Sequence, residues 1–265
     1  TNVMSFGYQV LGFGVVTPAA AASADFTVTI SSNVNNYNLA TDLSNNGGSY
    51  GAGNWNGSDA ITVILNIDAG VTVYSANTST PALVVDLATS DSVLTINNSG
   101  SVVGKGGAAV AGSTGNGAAG NAGGHAMSMQ DVTVTINNAS GAKIQGGGGS
   151  GGAGGGSTQH GSAIDEEGVC QDGINRTGGT GGKGAAESSA TSSAEVGSNP
   201  ATGGPGGNGG DFGAAGGNGT GSSGSGCKVV NGSGGAGGAA GKAIRAVSGV
   251  SQTLNNSGTV AGATS

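Results

Sequence analysis

Catalysis or metal binding in this chain would have to be built from two histidines, two cysteines and fourteen carboxylates, and their spacing serves neither. His125 and His160 stand 35 residues apart, and neither has a Cys or carboxylate at metal-ligand spacing. Both read as surface or loop histidines. The acidic group Asp165, Glu166, Glu167 with Asp172 lacks the alternating ligand positions of a calcium loop and reads as solvated charge. GGTGGKG (178–184) resembles a phosphate-binding loop but fails at both ends. Thr177 stands where the first glycine belongs and Gly184 replaces the magnesium-binding hydroxyl, so Lys183 reads as a solubilising side chain. No G-x-G-x-x-G match follows a strand and opens a helix with an acidic residue downstream. The expectation is a non-enzymatic protein with no metal and no cofactor.

Recognition is the better use of the remaining functional groups. They concentrate in two segments of a chain that is only 8% charged and 3% aromatic. STQHGSAIDEEGVCQDGINRT (157–177) gathers His160, Ile164, Asp165, Glu166, Glu167, Val169, Asp172, Ile174, Asn175 and Arg176; the segment 220–231 adds Lys228, Val229, Val230 and Asn231. Loops held on a rigid scaffold are the usual site of binding residues, and these are the candidate contact residues.

The scaffold must be made largely of glycine. Of the chain's 60 glycines, 47 lie between Gly104 and Gly241, in tracts with a period of three: Gly204, Gly207, Gly210, Gly213, Gly216 and Gly219 share one register and Gly203, Gly206 and Gly209 a second. Gly146, Gly149, Gly152, Gly155 and Gly232, Gly235, Gly238, Gly241 repeat the pattern. That period fits the left-handed polyproline-II coil, which makes no hydrogen bonds within itself, so its buried N–H and C=O groups must bond sideways to other coils. Ordering a residue costs about 1–2 kcal/mol and a net hydrogen bond returns about 0.5–1.5 kcal/mol. A single tract is therefore unstable, and a laterally bonded bundle anchored at its ends is expected. Four prolines in 265 residues exclude collagen.

The anchor is a β region. FTVTI (26–30), ITVILNIDAGVTVYS (61–75) and PALVVDL (81–87) have the β-branched content of strands. An internal repeat then appears: VLTINNSGSVVG (93–104), VTINNASGAKIQG (134–146) and QTLNNSGTVAG (252–262), with 61–75 as a looser copy without the Asn pair. Each copy is too small to bury a face alone, so stacking into a solenoid or a sandwich is expected. The fold class is all-β, a small base carrying a bundle of polyglycine-II coils with tip loops. The organisation read from these patterns is 1–24 attachment segment, 25–103 β-rich base, 104–241 bundle with rung 131–145 returning to the base, and 242–265 a last rung. The opening segment, with Phe6, Tyr8, Val10, Leu11 and Phe13, suits either attachment to another protein or an edge strand of this chain's own sheet; it has no basic stretch of a secretory signal. A net charge of −7, with no Lys or Arg before Lys105, argues against nucleic acid and against a polybasic membrane contact. No apolar run is long enough for a membrane-spanning helix.

Counting tracts out from the base and back predicts where the loops fall. The pair between Gly104 and rung 132–145 should turn near Ser113 to Asn116. The tracts 146–156, 178–184, 203–219 and 232–241 should make two round trips, placing 157–177 and 220–231 at the far tip and 185–202 near the base. A reversal at Phe212 would break that count. Cys170 and Cys227 fall in the two tip loops, consistent with a disulfide across the tip or with two free thiols.

SFGYQVLGFG near the N-terminus, VTISSNVNNYNL (28–39), INNSGSVVGKGG (96–107) and GGAGGAAGKAI (234–244) resemble the glycine-rich adhesins of tailed-phage tail tips and fibres, among them the T-even-type distal fibre adhesins. The resemblance implies a receptor-binding protein at the distal tail of the virion that contacts a host outer-membrane protein or surface glycan. It also implies docking on another tail or fibre protein through the N-terminal segment. A monomer capping a fibre and a homotrimer both suit the Asn-rich rungs. A purely structural spacer and an ice-binding protein are the alternatives.

Overall fold

The structure is a computed structural model that describes residues 25–46, 53–159, 174–185, 203–223 and 229–265. Its strands wind as a three-sided parallel coil. The first turn holds β1 (Phe26–Ile30), β2 (Val34–Asn35) and β3 (Tyr37–Asn38), and the second β4 (Thr62–Ile67), β5 (Thr72–Tyr74) and β6 (Leu83–Asp86). β7 (Val93–Asn98), β8 (Ser101–Val103) and β9 (Met127–Gln130) form the third turn. The fourth holds β10 (Val132–Asn138), β11 (Lys143–Gln145) and β15 (Ile244–Ala246), and the fifth β16 (Val250–Asn256) and β17 (Thr259–Ala261). The sides are the sheets β1-β4-β7-β10-β16, β2-β5-β8-β11-β17 and β3-β6-β9-β15. Every pairing within them is parallel, which selects the solenoid over the sandwich.

The alternation of β-branched and polar residues explains the core. β1, β4, β7 and β10 turn Val28, Ile30, Val63, Leu65, Leu94, Ile96, Val134 and Ile136 inward. The other two sides add Val73, Val102, Ile144, Leu83, Met127, Met129 and Ile244. The repeated Asn-Asn pair becomes two amide ladders. Asn66, Asn97, Asn137 and Asn255 are linked by Nδ2–H···Oδ1 bonds of 2.8–3.0 Å. Asn98, Asn138 and Asn256 form the inner ladder, at 2.8 Å per step. The Gly that follows is required by close approach in two of the three repeats, where a Cβ on Gly100 would collide with the carbonyl oxygen of Val71 and one on Gly258 with that of Ala139; Gly141 instead takes a φ of 84°. One short helix, α1 (Leu39–Asn46), departs from the expected helix-free chain. Asn38 caps it, accepting the Thr41 N–H at 3.0 Å, and it buries Leu39 and Leu43 in the core cluster together with Trp55.

The glycine tracts are insertions in this coil. In the third and fourth turns they leave after the second side and rejoin at the third, at β9 and β15. Seven tracts are present among the described residues: 104–112, 116–124, 146–156, 177–185, 203–210, 214–222 and 232–241. Tract 146–156 lies wholly buried at the centre. Its N–H groups point to three different neighbours in rotation. Gly147, Ser150, Ala153 and Gly156 bond tract 116–124 and its turn, Gly148, Gly151 and Gly154 bond 177–185, and Gly149, Gly152 and Gly155 bond 214–222, at 2.8–3.0 Å. Its carbonyls accept from 104–112, 203–210 and 232–241. Those six tracts also bond one another in a closed ring, in the order 104–112, 116–124, 232–241, 214–222, 203–210 and 177–185.

This arrangement accounts for the sequence of each tract. The central one, GGGGSGGAGGG, is approached from all sides and is nearly pure glycine. The outer tract 232–241 buries Gly232, Gly235, Gly238 and Gly241 while Ser233, Ala236 and Ala239 face solvent. Lys183 is likewise an exposed third residue.

Two expectations about the chain path are corrected. The long tract 203–219 is not one pass: it reverses at Asp211–Ala214, where the Ala214 N–H bonds the Asp211 carbonyl at 2.9 Å and Gly213 takes a φ of 68°. The segment 185–202 does not have both ends near the base. Ala185 bonds Gly148 and Gly210 at the inner end, whereas Gly204 bonds Gly155 at the far end. The physical reason is that Gly207 and Gly216 keep one register of three on either side of the turn, yet the Gly207 N–H bonds the Gly152 carbonyl and the Gly216 N–H the Gly238 carbonyl, so the register continues through a hairpin that the period does not reveal. The turn at Ser113–Asn116 is found as expected, closed by the Ser113 hydroxyl donating to the Asn116 carbonyl at 2.7 Å.

Candidate functional site

Where the central tract ends at Gly156 the chain enters β12 (Ser157–Gln159), which pairs antiparallel with β13 (Ile174–Arg176) on one side and β14 (Val229–Asn231) on the other. Glycine has no side chain to hold a loop; the pairing of β-branched and polar residues just beyond the tracts does this instead. The small sheet therefore ties the 157–177 and 220–231 segments to one end of the bundle. Ser222 locks its lower edge, its hydroxyl donating to the Gly156 carbonyl at 2.7 Å and its N–H to the Gly232 carbonyl at 2.9 Å. The 113–116 turn lies at the same end. Gly156 N–H bonds Gly115 and Gly178 N–H bonds Ser113, at 2.8 and 2.9 Å.

Of the candidate contact residues, Ile174, Asn175, Arg176, Val229, Val230 and Asn231 are thus brought into one sheet, with Val230 58% exposed. His160, Ile164, Asp165, Glu166, Glu167, Val169, Asp172 and Lys228 lie outside the described residues, as do Cys170 and Cys227 and the N-terminal Phe6, Tyr8, Val10, Leu11 and Phe13. Sequence reasoning did not single out Ser157, whose register places it opposite both Arg176 and Asn231. The signal available was the loss of the three-residue period after Gly156. Ser157 is buried with its Oγ unpartnered, and the Nε of half-buried Arg176 is buried without a partner.

The chemistry elsewhere is structural. Among the described residues no group of three or more His, Cys, Asp or Glu could hold a metal, and no helix is long and apolar enough to cross a membrane. His125 lies outside the strands, the loop residue expected. It is half-buried at the junction where tracts rejoin the coil, and its Nδ1 accepts the Lys242 N–H at 2.9 Å. Burial first, and then the positive charges of Arg245 and Lys242, hold its pKa below the ordinary 6.5.

The family model for the phage tail fibre adhesin Gp38 matches residues 25–265. The chain belongs to that family. It is a tail fibre adhesin of the virion, a binding protein and not an enzyme. No curated protein matches the chain. The Gp38-type fold is also seen in the crystal structure of the gp37-gp38 adhesin tip complex of the bacteriophage S16 long tail fibre. The match there has a TM-score of 0.52 at 22% identity and covers 90% of this chain and 82% of that one.

Proposed function

We propose that this adhesin recognises a host outer-membrane protein or surface glycan through the loops 157–177 and 220–231, at the end of a rigid bundle of polyglycine-II coils. The observation that carries this reading is the three-stranded sheet that joins both loops at the far end of the bundle. The three-residue rotation of lateral hydrogen bonds supports the polyglycine-II assignment. On this reading the coil of 25–103 and 242–265 is the base, 104–241 is the presenting unit with its rung 131–145 in the base, and residues 1–24 attach to another fibre protein. The S16 protein is seen in complex with gp37, and a fibre protein is the corresponding partner here.

Exchanging the loops 157–177 and 220–231 with those of a family member of different host range tests the reading. Host range should follow the loops. Unchanged host range in a folded, fibre-assembled exchange would assign the bundle to a spacer role and recognition to another surface.

A further inference from the structure

Tracts 116–124 and 232–241 return to the coil side by side, and the bonds between them change type at the return. Within the bundle the Gly117, Gly120 and Gly123 N–H groups donate to the carbonyls of Ser233, Ala236 and Ala239, at 2.7–2.9 Å. In the coil the Ala126 and Met127 N–H groups donate to the carbonyls of Lys242 and Ala243, at 3.0 and 3.1 Å, where β9 and β15 begin to pair. Where the three-fold coil gives way to strand, the Lys242 N–H donates to a side chain instead, the His125 Nδ1 at 2.9 Å. The His125 carbonyl is held from the other side, accepting the Ala82 N–H and the Ser75 hydroxyl, each at 3.3 Å. One residue thus joins both returning tracts to the corner between β5 and β6. A backbone carbonyl accepts at any pH, whereas an imidazole nitrogen accepts only while the ring is neutral. A protonated ring would turn an N–H toward the Lys242 N–H and add a third positive charge beside Lys242 and Arg245, the cations that face it from the returning strand. Lys105 opens the neighbouring tract, its carbonyl accepting the Gly124 N–H; the corner 75–81 carries no titratable residue, and the end of the chain presents the Ser265 carbonyl to the Lys242 ammonium.

We propose that His125 is an acid-sensitive latch between the bundle and its base: protonation of the ring opens the seam between 124–126 and 241–243 and leaves the rest of the coil folded. The central tract shares that seam, since the Gly147 N–H bonds the Gly124 carbonyl and the Gly241 N–H bonds the Gly147 carbonyl, at 2.9 and 2.8 Å. Opening there frees the inner end of the bundle, and the far end is no longer held in a fixed direction. The adhesin therefore presents its far end firmly near neutral pH and releases it reversibly in mildly acidic surroundings. The far end of the same pair of tracts shows the insensitive alternative. There the Ser233 N–H donates to the Asn116 Oδ1 at 3.0 Å, an acceptor that does not titrate.

The test follows the full chain by NMR from about pH 7.5 to 5, reading the His125 ring titration and amide hydrogen exchange corrected for its intrinsic pH dependence. Protection of the Lys242 and Gly241 amides should fall about tenfold as His125 titrates, while the amides of β4, β7 and β10 keep theirs. His125→Asn places an oxygen near the position of Nδ1 that accepts at every pH, and should show no step. Adsorption of intact phage to host cells should fall over the same interval, recover on return to pH 7.5, and lose this dependence in His125→Asn fibres. Lys242 protection that stays constant through the His125 titration overturns the proposal, even where the variant fails to fold. The same step in His125→Asn overturns it, as does an equal fall in β4, β7 and β10, which would mean that the coil unfolds as a whole. Adsorption with one pH dependence in wild-type and His125→Asn fibres overturns it too. None of these outcomes depends on which surface of the far end meets the host, so the loop exchange and the latch stand or fall separately.

Discussion

At Gly152 a single methyl group meets the limit of the design. A Cβ built there lands on the carbonyl oxygen of Gly235, backbone that cannot turn away. Gly152→Ala should therefore lower stability by about 2–3 kcal/mol, as overpacking does, while Ala236→Ser on the exposed register should stay within about 0.5 kcal/mol. Denaturant unfolding of the two variants measures the contrast, and equal effects would refute the packing argument. His125 supplies the pH dependence. Its folded-state pKa lies below 6.5, so the unfolded chain binds the proton more readily. The contribution is complete above pH 6.5 and is lost as pH falls through the folded value, because protonation removes the acceptor for Lys242 N–H. A urea midpoint that drops below pH 6.5 in the wild type should drop less in His125→Gln. Of these two residues, Gly152 was legible from its place in a three-residue register. His125 was not, because nothing near it in sequence reveals a partner 117 residues away.

Among the elements, the tracts differ by position and not by composition alone. In the central tract every N–H from Gly147 to Gly156, ten in succession, donates to a neighbouring tract. In tract 232–241 the N–H groups bonded to backbone are those of Gly232, Gly235, Gly238 and Gly241. Amide hydrogen exchange should show continuous protection over 147–156 and strong protection at every third position in 232–241. Uniform fast exchange across both would mean that the lateral bonds do not persist in solution. The existence of such bonds was readable from the period, since a coil without internal hydrogen bonds must find them outside. The stacking of 93–104, 134–146 and 252–262 was readable too, and the register places Asn97, Asn137 and Asn255 in one row. The reversal at Asp211–Ala214 was not, because glycine on both sides of Phe212 keeps the period while the chain changes direction.

At the scale of the molecule, the closed ring makes each tract depend on the others. Replacing 105–123 by a short link, such as the one that joins β5 to β6, would take from the central tract the acceptors Asn121, Ala118 and Gly115, which serve Ser150, Ala153 and Gly156. Exchange protection should then fall in the remaining tracts while the buried strands β4, β7 and β10 keep theirs, and adsorption to host cells should be lost with it. Protection unchanged in the remaining tracts would show that ring closure is not what holds the bundle. The amino-acid sequence by itself determined that glycine tracts must bond laterally, that Asn-paired repeats must stack, and that the candidate contact residues collect in two segments, because each of these follows from local period and composition. Only the tertiary structure decided which tract lies at the centre, which way each runs, and that Ser157 faces Arg176. A three-residue period repeats along every tract and says which edges are free to bond; the partner on each edge is chosen by where the insertions leave and rejoin the coil.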